Sequence, residues 1–248
     1  MTRHFDYDLL VIGAGSGGVR AARKSAEFGA KVAVVEEAAL GGTCVNVGCI
    51  PKKLYVYASE YAAAWRESAR FGWQTEGISF HWNTLRDNKT NEIARLNAIY
   101  ARLLEAPGVD IIEGHGALAG PQEIVVGETH YRAEKILLAT GTWPAMPEIP
   151  GIELALSSNE IFDMERFPER LLIVGGGYIA TEFASIFSGL GASVVQSYRG
   201  ELFLRGFDHD IRRFLAEEMR KAGVDLRFNH HVMALEPQSG DILAQLSD

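Results

Sequence analysis

The chain has 248 residues, of which 47% are hydrophobic and 23% are charged, and its formal net charge is −8. This balance argues against an intrinsically disordered chain, and the scattered charges of both signs do not suggest a nucleic-acid or anionic-membrane partner. The N-terminus leads directly into a predicted strand without the apolar core of a secretion signal, and no apolar run is long enough to cross a bilayer. We therefore expect a globular, cytoplasmic protein of one or two domains, with no membrane partner.

A glycine-rich nucleotide-binding pattern begins the chain. An apolar strand at 9–12 precedes the Gly-Ala-Gly-Ser-Gly-Gly turn of 13–18 (the first glycine turn), a helix at 19–28 and a strand at 31–35. In such a pattern the glycines make a tight turn, admit a pyrophosphate to the backbone and let the helix pack on the strand. Glu36 closes the second strand, where a carboxylate can hydrogen-bond a ribose hydroxyl of a cofactor that lacks a 2′-phosphate. The predicted contacts are Gly13, Gly15, Gly18 and Glu36.

The two cysteines of the chain, Cys44 and Cys49, follow this pattern closely. Inert buried thiols and a zinc site are the alternatives, but no histidine lies nearby at ligand spacing, and the adjacent nucleotide pattern favours a redox pair. Residues five apart on an ideal helix lie on different faces, so a disulfide here needs a distorted turn, which Gly48 permits. Pro51 suits the first turn of the helix predicted at 51–65. A cytoplasmic bridge of this kind would be catalytic or redox-sensing.

The middle of the chain continues the alternation of helices and strands. A second long helix is predicted at 82–104, and several short strands end at 135–139. The stretch 143–151 is rich in proline and is predicted to be an extended linker. We therefore expect an α/β protein with a first domain at 1–150 and a second at 151–248.

The strand, turn, helix and strand recur after the linker. The predicted segments are a strand at 171–174, the Gly-Gly-Gly-Tyr-Ile-Ala turn of 175–180 (the second glycine turn), a helix at 179–190 and a strand at 193–196. This repetition predicts a second dinucleotide site.

The second pattern differs from the first where the terminal acid would stand. Tyr198 occupies the position that matches Glu36, and Arg199 and Arg205 follow it. A carboxylate there would repel a 2′-phosphate, whereas guanidinium groups bind one through charge-assisted hydrogen bonds. The alternative is that both arginines are solvated surface charges, and the intervening Glu201 weakens the argument for a phosphate site. The missing acid and the two arginines predict NADPH rather than NADH.

Taken together, these segments resemble the pyridine nucleotide–disulfide oxidoreductase family, and within it the glutathione reductases. The resemblance covers the whole chain and rests on residues 13–18, 41–53, 139–141, 175–182, Arg199 and 204–208. The two lysines that follow the proline resemble the sequence of glutathione and trypanothione reductases at this point. Dihydrolipoamide dehydrogenases and mercuric reductases usually have a serine in place of the first lysine. The fold that this resemblance implies is two Rossmann-like, three-layer FAD- and NAD(P)-binding domains, with the second incomplete in this chain.

The resemblance also implies a reaction. Hydride passes from NADPH to FAD, electrons pass to a Cys44–Cys49 disulfide, and the resulting thiols reduce glutathione disulfide. Cys49 is implied as the flavin-proximal sulfur and Cys44 as the exposed nucleophile, whose pKa a nearby cation, flavin or helix N-terminus should lower. Lys52 resembles the lysine that reaches the flavin and pairs with the acid matched by Glu182. Tyr178 resembles the aromatic residue that covers the nicotinamide pocket.

Further cofactor contacts are implied residue by residue. For FAD they are Ser16, Gly17, Thr43, Cys44, Lys52, Gly116, Thr140 and Gly141. For NADPH they are Gly175, Gly177, Tyr178, Ile179, Glu182, Arg199 and Arg205. Nothing in the local sequence of His115, His209, His230 or His231 indicates a general base.

Members of the family are longer than this chain. The resemblance implies that a C-terminal interface domain, which supplies an acid–base histidine across a homodimer, is absent from these residues, so the chain alone is expected to be inactive. Two alternatives stay open. One is a related reductase acting on trypanothione, glutathione amide or dihydrolipoamide, and the other is a non-catalytic nucleotide-binding or redox-sensing module.

Overall fold

The computed structural model describes residues 5–74 and 77–247 and groups them into two compact units. The first unit comprises the described chain up to Pro51 together with Asn88–Trp143. The second comprises Lys52–Asp87 and the chain from Pro144 onward. The division predicted at residue 150 stays a prediction, since each unit combines two separate stretches of the chain.

The first unit is built on a mixed six-stranded sheet of order β3-β2-β1-β6-β5-β4. Strands β1, β2, β3 and β6 run parallel, and β4, β5 and β6 pair antiparallel. The strands are β1 (Tyr7–Ile12), β2 (Val32–Glu36), β3 (Asp110–Glu113), β4 (Gly116–Gly120), β5 (Glu123–Val126) and β6 (Thr129–Leu138). Both faces of the parallel part are covered, as the unbroken apolar run in β1 predicts, since Leu10 and Val11 point to opposite faces and are both fully buried.

Helix α1 (Ser16–Glu27) connects β1 to β2 and packs on one face of this sheet. Its buried residues Val19 and Ala22 join Val11 and Val34 in one apolar cluster. The helix begins three residues before the predicted start, because the end of the first glycine turn already has helical geometry. Phe28 caps the C-terminus of the helix and Gly29 follows it with a positive φ, so the helix ends close to the predicted end at Phe28.

Three further helices follow in this part of the chain. They are α2 (Gly42–Asn46), α3 (Cys49–Ser68) and α4 (Trp82–Glu105), and a short 3-10 turn at Ala69–Phe71 extends α3. The prediction of two long helices is confirmed, and Pro51 lies in the first turn of α3. None of the helices in the two described ranges combines the length and apolar character needed to span a bilayer.

The second unit is built on a parallel sheet of order β7-β8-β9 and an antiparallel hairpin of β10 and β11. Its helix α5 packs on β7 and β8, and α6 contacts β9. The elements are β7 (Arg170–Val174), α5 (Tyr178–Leu190), β8 (Ser193–Tyr198), α6 (His209–Lys221), β9 (Asp225–Phe228), β10 (Val232–Gln238) and β11 (Asp241–Leu246). The α/β class predicted from the sequence is confirmed.

Aromatic side chains fill the centre of this second unit. Tyr55 of α3 is fully buried, and its hydroxyl donates to the Phe162 carbonyl at 2.7 Å. Its ring contacts Trp82 and Phe162, which in turn contact Phe187 and Phe183. Burial of such rings is among the larger stabilising contributions in a domain, so this cluster holds α3, the start of α4 and α5 together.

Candidate redox and nucleotide-binding sites

Backbone contacts require glycine at two positions of the first glycine turn. Gly13 has φ +100°, and a Cβ on it would lie 2.4 Å from the Ala139 carbonyl oxygen. A Cβ on Gly18 would lie 1.8 Å from the Gly13 carbonyl oxygen. The turn is therefore tight, and it leaves Ser16 and Gly17 exposed at the start of α1. Backbone N–H groups at such a helix start bind phosphate oxygens.

Glu36 lies at the carboxyl end of β2, beside this turn. Its Oε2 accepts a hydrogen bond from the Ala14 N–H at 2.7 Å, and its Oε1 accepts one from the Ala38 N–H at 3.0 Å. Each carboxylate oxygen has a second lone pair, so the side chain can still accept a ribose hydroxyl. Glu36 is thus held where the sequence predicts an adenosine contact.

The segment that carries the cysteines is attached to the first glycine turn. Gly41 and Gly42 have φ +98° and +61°, and the Gly41 N–H donates to the Ala14 carbonyl at 2.9 Å. A Cβ on Gly42 would lie 2.6 Å from the Cα of Gly15, so α2 begins in direct backbone contact with the turn. Thr43 follows and is exposed.

A break between α2 and α3 brings the two cysteines together. Val47 leaves the helical conformation with φ −138°, and α3 begins at Cys49. Gly48 is needed for a steric reason and not for a positive φ, because a Cβ on it would lie 2.6 Å from the Thr43 carbonyl oxygen and 3.2 Å from the Cys44 Cα. Both cysteines are free thiols, and the thiol of Cys44 hydrogen-bonds Cys49.

The environment of Cys44 differs from the expected one. Burial raises its pKa, and the hydrogen bond and charge of Cys49 raise it further, against a smaller lowering by the Cys49 backbone. In the flavin-free chain the pKa of Cys44 is thus raised, and its lowering by a bound flavin or a nearby cation stays a prediction. Cys49 is the more exposed thiol, which reverses the exposure order that the resemblance implies.

A pair of asparagines fixes the short helix that carries Cys44. The Asn46 side-chain amide donates to the carbonyls of Leu40 and Gly42 at 3.2 and 2.9 Å. The Asn97 amide, on α4, donates to Leu40 O at 2.8 Å and to Asn46 Oδ1 at 2.9 Å. Asn97 was not anticipated, since a contact across 51 residues of sequence leaves no local pattern.

The remaining residues predicted for the first nucleotide also lie in the first unit. Gly116 begins β4, and a Cβ on it would lie 3.1 Å from Val35 Cγ1. Thr140 and Gly141 follow β6 and are exposed. Because β1, β2 and β6 are parallel, the first glycine turn, Glu36 and Thr140 lie at the same carboxyl edge of the sheet, where α/β proteins bind dinucleotides.

The second glycine turn is supported by the segment that follows β8. Gly175 has φ +145°, and the Leu204 N–H donates to the Gly176 carbonyl at 2.6 Å. A Cβ on Gly176 would lie 2.4 Å from the ring of Tyr198, so this ring packs directly on the turn. Leu204 adopts a left-handed φ of 56°, which is uncommon for a residue with a branched side chain. The segment is therefore folded back tightly against the turn.

Arg199 and Arg205 lie on this same segment and are exposed. The Arg212 guanidinium, on α6, donates to the Phe203 carbonyl at 2.6 Å and also to the Leu202 carbonyl. Arg212 thus anchors the loop that carries the predicted phosphate-binding arginines. The local sequence does not predict this role of Arg212, because the carbonyls that it binds lie before the start of α6.

The start of α5 presents an exposed surface. The side chain of Tyr178 is 61% exposed, and Ile179 and Gly177 are also exposed. One turn further along, Glu182 Oε1 lies 2.8 Å from Lys52 Nζ of α3. Both side chains are partly exposed, so we expect the ion pair to contribute only about 0.2–1 kcal/mol to stability and attribute no large structural role to it.

The residues predicted for the thiol site and the two nucleotide sites are thus divided between the two units. The first unit contains Gly13, Gly15, Ser16, Gly17, Gly18, Glu36, Thr43, Cys44, Cys49, Gly116, Thr140 and Gly141. The second unit contains Lys52, Gly175, Gly177, Tyr178, Ile179, Glu182, Arg199 and Arg205. In the described residues no cluster of three His, Cys, Asp or Glu side chains has metal-binding geometry.

The first unit has a glycine turn at the carboxyl edge of its parallel strands and a thiol pair attached to that turn, and the second unit has a second glycine turn. These features are typical of dinucleotide-dependent redox proteins. Comparison with known families agrees with this class. The pyridine nucleotide-disulphide oxidoreductase family matches residues 7–248, and the chain belongs to this family.

Three individual proteins show what the chain is similar to within the family. The chain is 49% identical over 243 residues to a glutathione reductase of Burkholderia cepacia, an alignment that covers 98% of this chain and 54% of that protein. It is 40% identical to a trypanothione reductase of Trypanosoma congolense, covering 93% of this chain and 52% of that protein. Among solved structures, a Cu(II) complex of the HOCl-induced flavoprotein disulfide reductase RclA from Escherichia coli superposes with a TM-score of 0.84 at 28% identity, covering 96% of this chain and 52% of that one. The chain thus spans about half the length of the relatives that it matches.

Proposed function

We propose that this chain is the FAD- and NADPH-binding part of a flavoprotein disulfide reductase that reduces glutathione disulfide. The observation that carries the proposal is the backbone attachment of the thiol pair to the first glycine turn, through Gly41 N to Ala14 O at 2.9 Å and the close approach of Gly42 to Gly15. This attachment fixes the thiols relative to whatever dinucleotide the turn binds. The glutathione reductase relative at 49% identity supports the choice of substrate.

FAD fits the residues of the first unit. The N–H groups of the exposed residues Ser16 and Gly17 suit its pyrophosphate, and Glu36 suits its adenosine ribose, which has no 2′-phosphate. Bound there, FAD would supply the transfer of two electrons from NADPH to the cysteine pair.

NADPH fits the second unit. The exposed start of α5 suits its pyrophosphate, and Arg199 and Arg205 suit its 2′-phosphate. Tyr198 packs on the turn in the place where a carboxylate would repel that phosphate. Tyr178, 61% exposed at the start of α5, is assigned to the cover of the nicotinamide pocket.

The two thiols account for the substrate half of the reaction. The Cys44 thiolate attacks one sulfur of glutathione disulfide, a mixed disulfide forms, and one glutathione leaves and takes a proton. The Cys49 thiolate then attacks the Cys44 sulfur, so the second glutathione leaves and the Cys44–Cys49 disulfide forms. The dithiol loses two electrons and the substrate gains them. Lys52 and Glu182 are assigned to the positioning of the flavin side of the site.

Steady-state turnover of the full-length protein tests this proposal. We expect kcat/KM with glutathione disulfide to exceed that with trypanothione disulfide, glutathione amide disulfide or lipoamide, and NADPH to be preferred to NADH. Replacing Arg199 and Arg205 with glutamine should reduce the NADPH rate and leave the NADH rate nearly unchanged, because each charge-assisted contact contributes about 1.5–3 kcal/mol. Preference for another disulfide would change the substrate assignment, and bound dinucleotide without any disulfide turnover would favour the non-catalytic module.

Homodimer assembly and a cytoplasmic location belong to the same proposal. Sedimentation of the full-length protein and fractionation of the source cells test them. A monomer that reduces glutathione disulfide at full rate would contradict the assembly.

A further inference from the structure

One polar side chain is fully buried beneath the second glycine turn. Gln196 of β8 has no exposed surface and lies in the sheet between Ile173 of β7 and Leu226 of β9. Its Nε2 donates to the Gly175 carbonyl at 3.0 Å and to the Thr181 hydroxyl at 3.3 Å. Because a carbonyl can only accept, the contact with Gly175 fixes which end of the carboxamide faces the turn.

The hydrogen bonds continue from Gln196 to the other end of the turn. The Thr181 hydroxyl accepts from Gln196 and itself donates to the Gly177 carbonyl at 3.1 Å. The carbonyls of Gly175 and Gly177 are therefore joined through two side chains. Both bonds come from residues outside the glycine triplet, one on β8 and one in the first turn of α5.

Holding these carbonyls also orients the N–H groups of the turn. A trans peptide is planar and its C=O and N–H point in opposite directions, so fixing the Gly175 carbonyl toward β8 fixes the Gly176 N–H away from it. The Gly177 carbonyl accepts from the backbone N–H of Thr181 at 3.2 Å as well as from its hydroxyl, and together these bonds set the Tyr178 N–H at the start of α5. N–H groups at such a helix start are the ones that bind a pyrophosphate.

Burial of the Gln196 carboxamide destabilises the folded protein, because one of its polar atoms is left without a hydrogen bond in the part of the chain that the structure describes. Gln196 Oε1 is buried and has no hydrogen-bond donor among the groups of the described chain. An unsatisfied buried carbonyl destabilises a protein, and an apolar residue of similar volume would avoid this loss. The residue is thus better explained by what its NH₂ group does at the turn than by its packing.

We infer that Gln196 is a positioning residue for the pyrophosphate of the pyridine nucleotide, acting through the Gly175 and Gly177 carbonyls with Thr181 as the relay. The inference rests on the proposed function, since it takes the second glycine turn as the NADPH site. It adds a residue outside the glycine motif that determines how tightly the turn binds the nucleotide.

Two ligands separate this role from general destabilisation. NADP⁺ carries the pyrophosphate, whereas 2′-AMP carries the adenosine and the 2′-phosphate but no pyrophosphate. In the full-length protein we expect Gln196→Leu to weaken NADP⁺ binding by about tenfold, the loss of roughly one hydrogen bond's net contribution, and to change 2′-AMP binding by less than about twofold. Isothermal titration calorimetry gives both dissociation constants.

Two further variants make the result decisive. Gln245→Leu makes the same substitution at an exposed position of β11 and should leave both ligands unaffected. Thr181→Val removes the relay with little change in volume, so it should weaken NADP⁺ selectively as well, and it serves if the Gln196 variant does not fold. In the double variant the two losses should be less than additive, because both residues belong to one chain of hydrogen bonds.

Equal losses for NADP⁺ and 2′-AMP, or unchanged NADP⁺ binding in both variants, would overturn the inference. Failure of the unaltered protein to bind either ligand would instead reject the proposed NADPH site, and the inference would fall with it. The two failures are therefore distinguishable by the unaltered protein alone.

Discussion

At the scale of single residues, the reactivity of the thiol pair depends on groups other than the cysteines themselves. Burial and the neighbouring Cys49 raise the pKa of Cys44 in this chain, so its thiolate is scarce near neutral pH. A bound flavin or a cation from outside the described residues would have to offset this effect for Cys44 to attack rapidly. In the proposed function, part of the activation of Cys44 would therefore come from the bound cofactor.

Site-specific alkylation of the reduced, flavin-free protein tests this electrostatic account. The rate at Cys44 should rise with pH and level off only above the ordinary pKa of a cysteine, because the raised pKa delays formation of the thiolate. Cys49→Ala removes the hydrogen bond and the charge that help to raise the pKa of Cys44. The midpoint of Cys44 alkylation should therefore move to lower pH, but burial should keep it above the ordinary value. Mass spectrometry of the labelled peptides follows each thiol separately. A midpoint at Cys44 below the ordinary value would contradict the account.

At the scale of elements, close backbone approaches decide where the functional segments lie. Gly18 lets α1 pack on the first glycine turn, Gly42 lets α2 begin against it, and Gly48 lets α3 start beside Cys44. Each position would place a Cβ within 3.0 Å of backbone atoms. These glycines are therefore required by packing between elements.

Gly48→Ala tests the contact that joins α2 to α3. The added Cβ would lie 2.6 Å from the Thr43 carbonyl oxygen, so the start of α3 must move away from Cys44 at a cost of about 1–3 kcal/mol. Because a disulfide tolerates only a narrow range of separations, we expect the thiol–disulfide equilibrium against glutathione to shift toward the dithiol by about tenfold or more.

Gly120→Ala is the matched control for this variant. It is another glycine of the first unit, its φ is not positive, and its Cβ would meet only Glu123 Cβ at 3.8 Å. Its equilibrium should equal that of the unaltered protein. An unchanged equilibrium in Gly48→Ala would show that the contact does not set the separation of the thiols.

The elements themselves were largely predictable from the sequence, and several of their contacts were not. Strands β1, β2, β7 and β8 and the helices after the glycine turns follow from apolar runs and glycine spacing, which act over a few residues. The partnership of Asn46 with Asn97 joins residues far apart in sequence, so no local pattern encodes it. Gln196 was read as the end of a strand, whereas β8 continues to Tyr198 and turns its carboxamide toward Gly175. The pKa of Cys44 is raised in the flavin-free chain, and this effect of burial has no local sequence pattern.

At the scale of the whole molecule, each compact unit carries one glycine turn with its own accessory residues. The first has Glu36 and the thiol pair, and the second has Arg199, Arg205 and the Lys52–Glu182 ion pair. The same strand, turn and helix thus serve two different nucleotides in the proposed function, and the residues at the end of the second strand of each unit set the difference.

The measurement that tests the central claim most directly counts the thiols at Cys44 and Cys49 before and after one equivalent of NADPH is added anaerobically to the full-length protein. Alkylation followed by peptide mass spectrometry reads both positions. We predict that neither cysteine is labelled in the oxidised protein and that both are labelled after NADPH, because the two electrons of one hydride reduce one disulfide. Labelling that is unchanged by NADPH, in protein that binds the nucleotide, would contradict the assignment of this chain to an NADPH-dependent disulfide reductase.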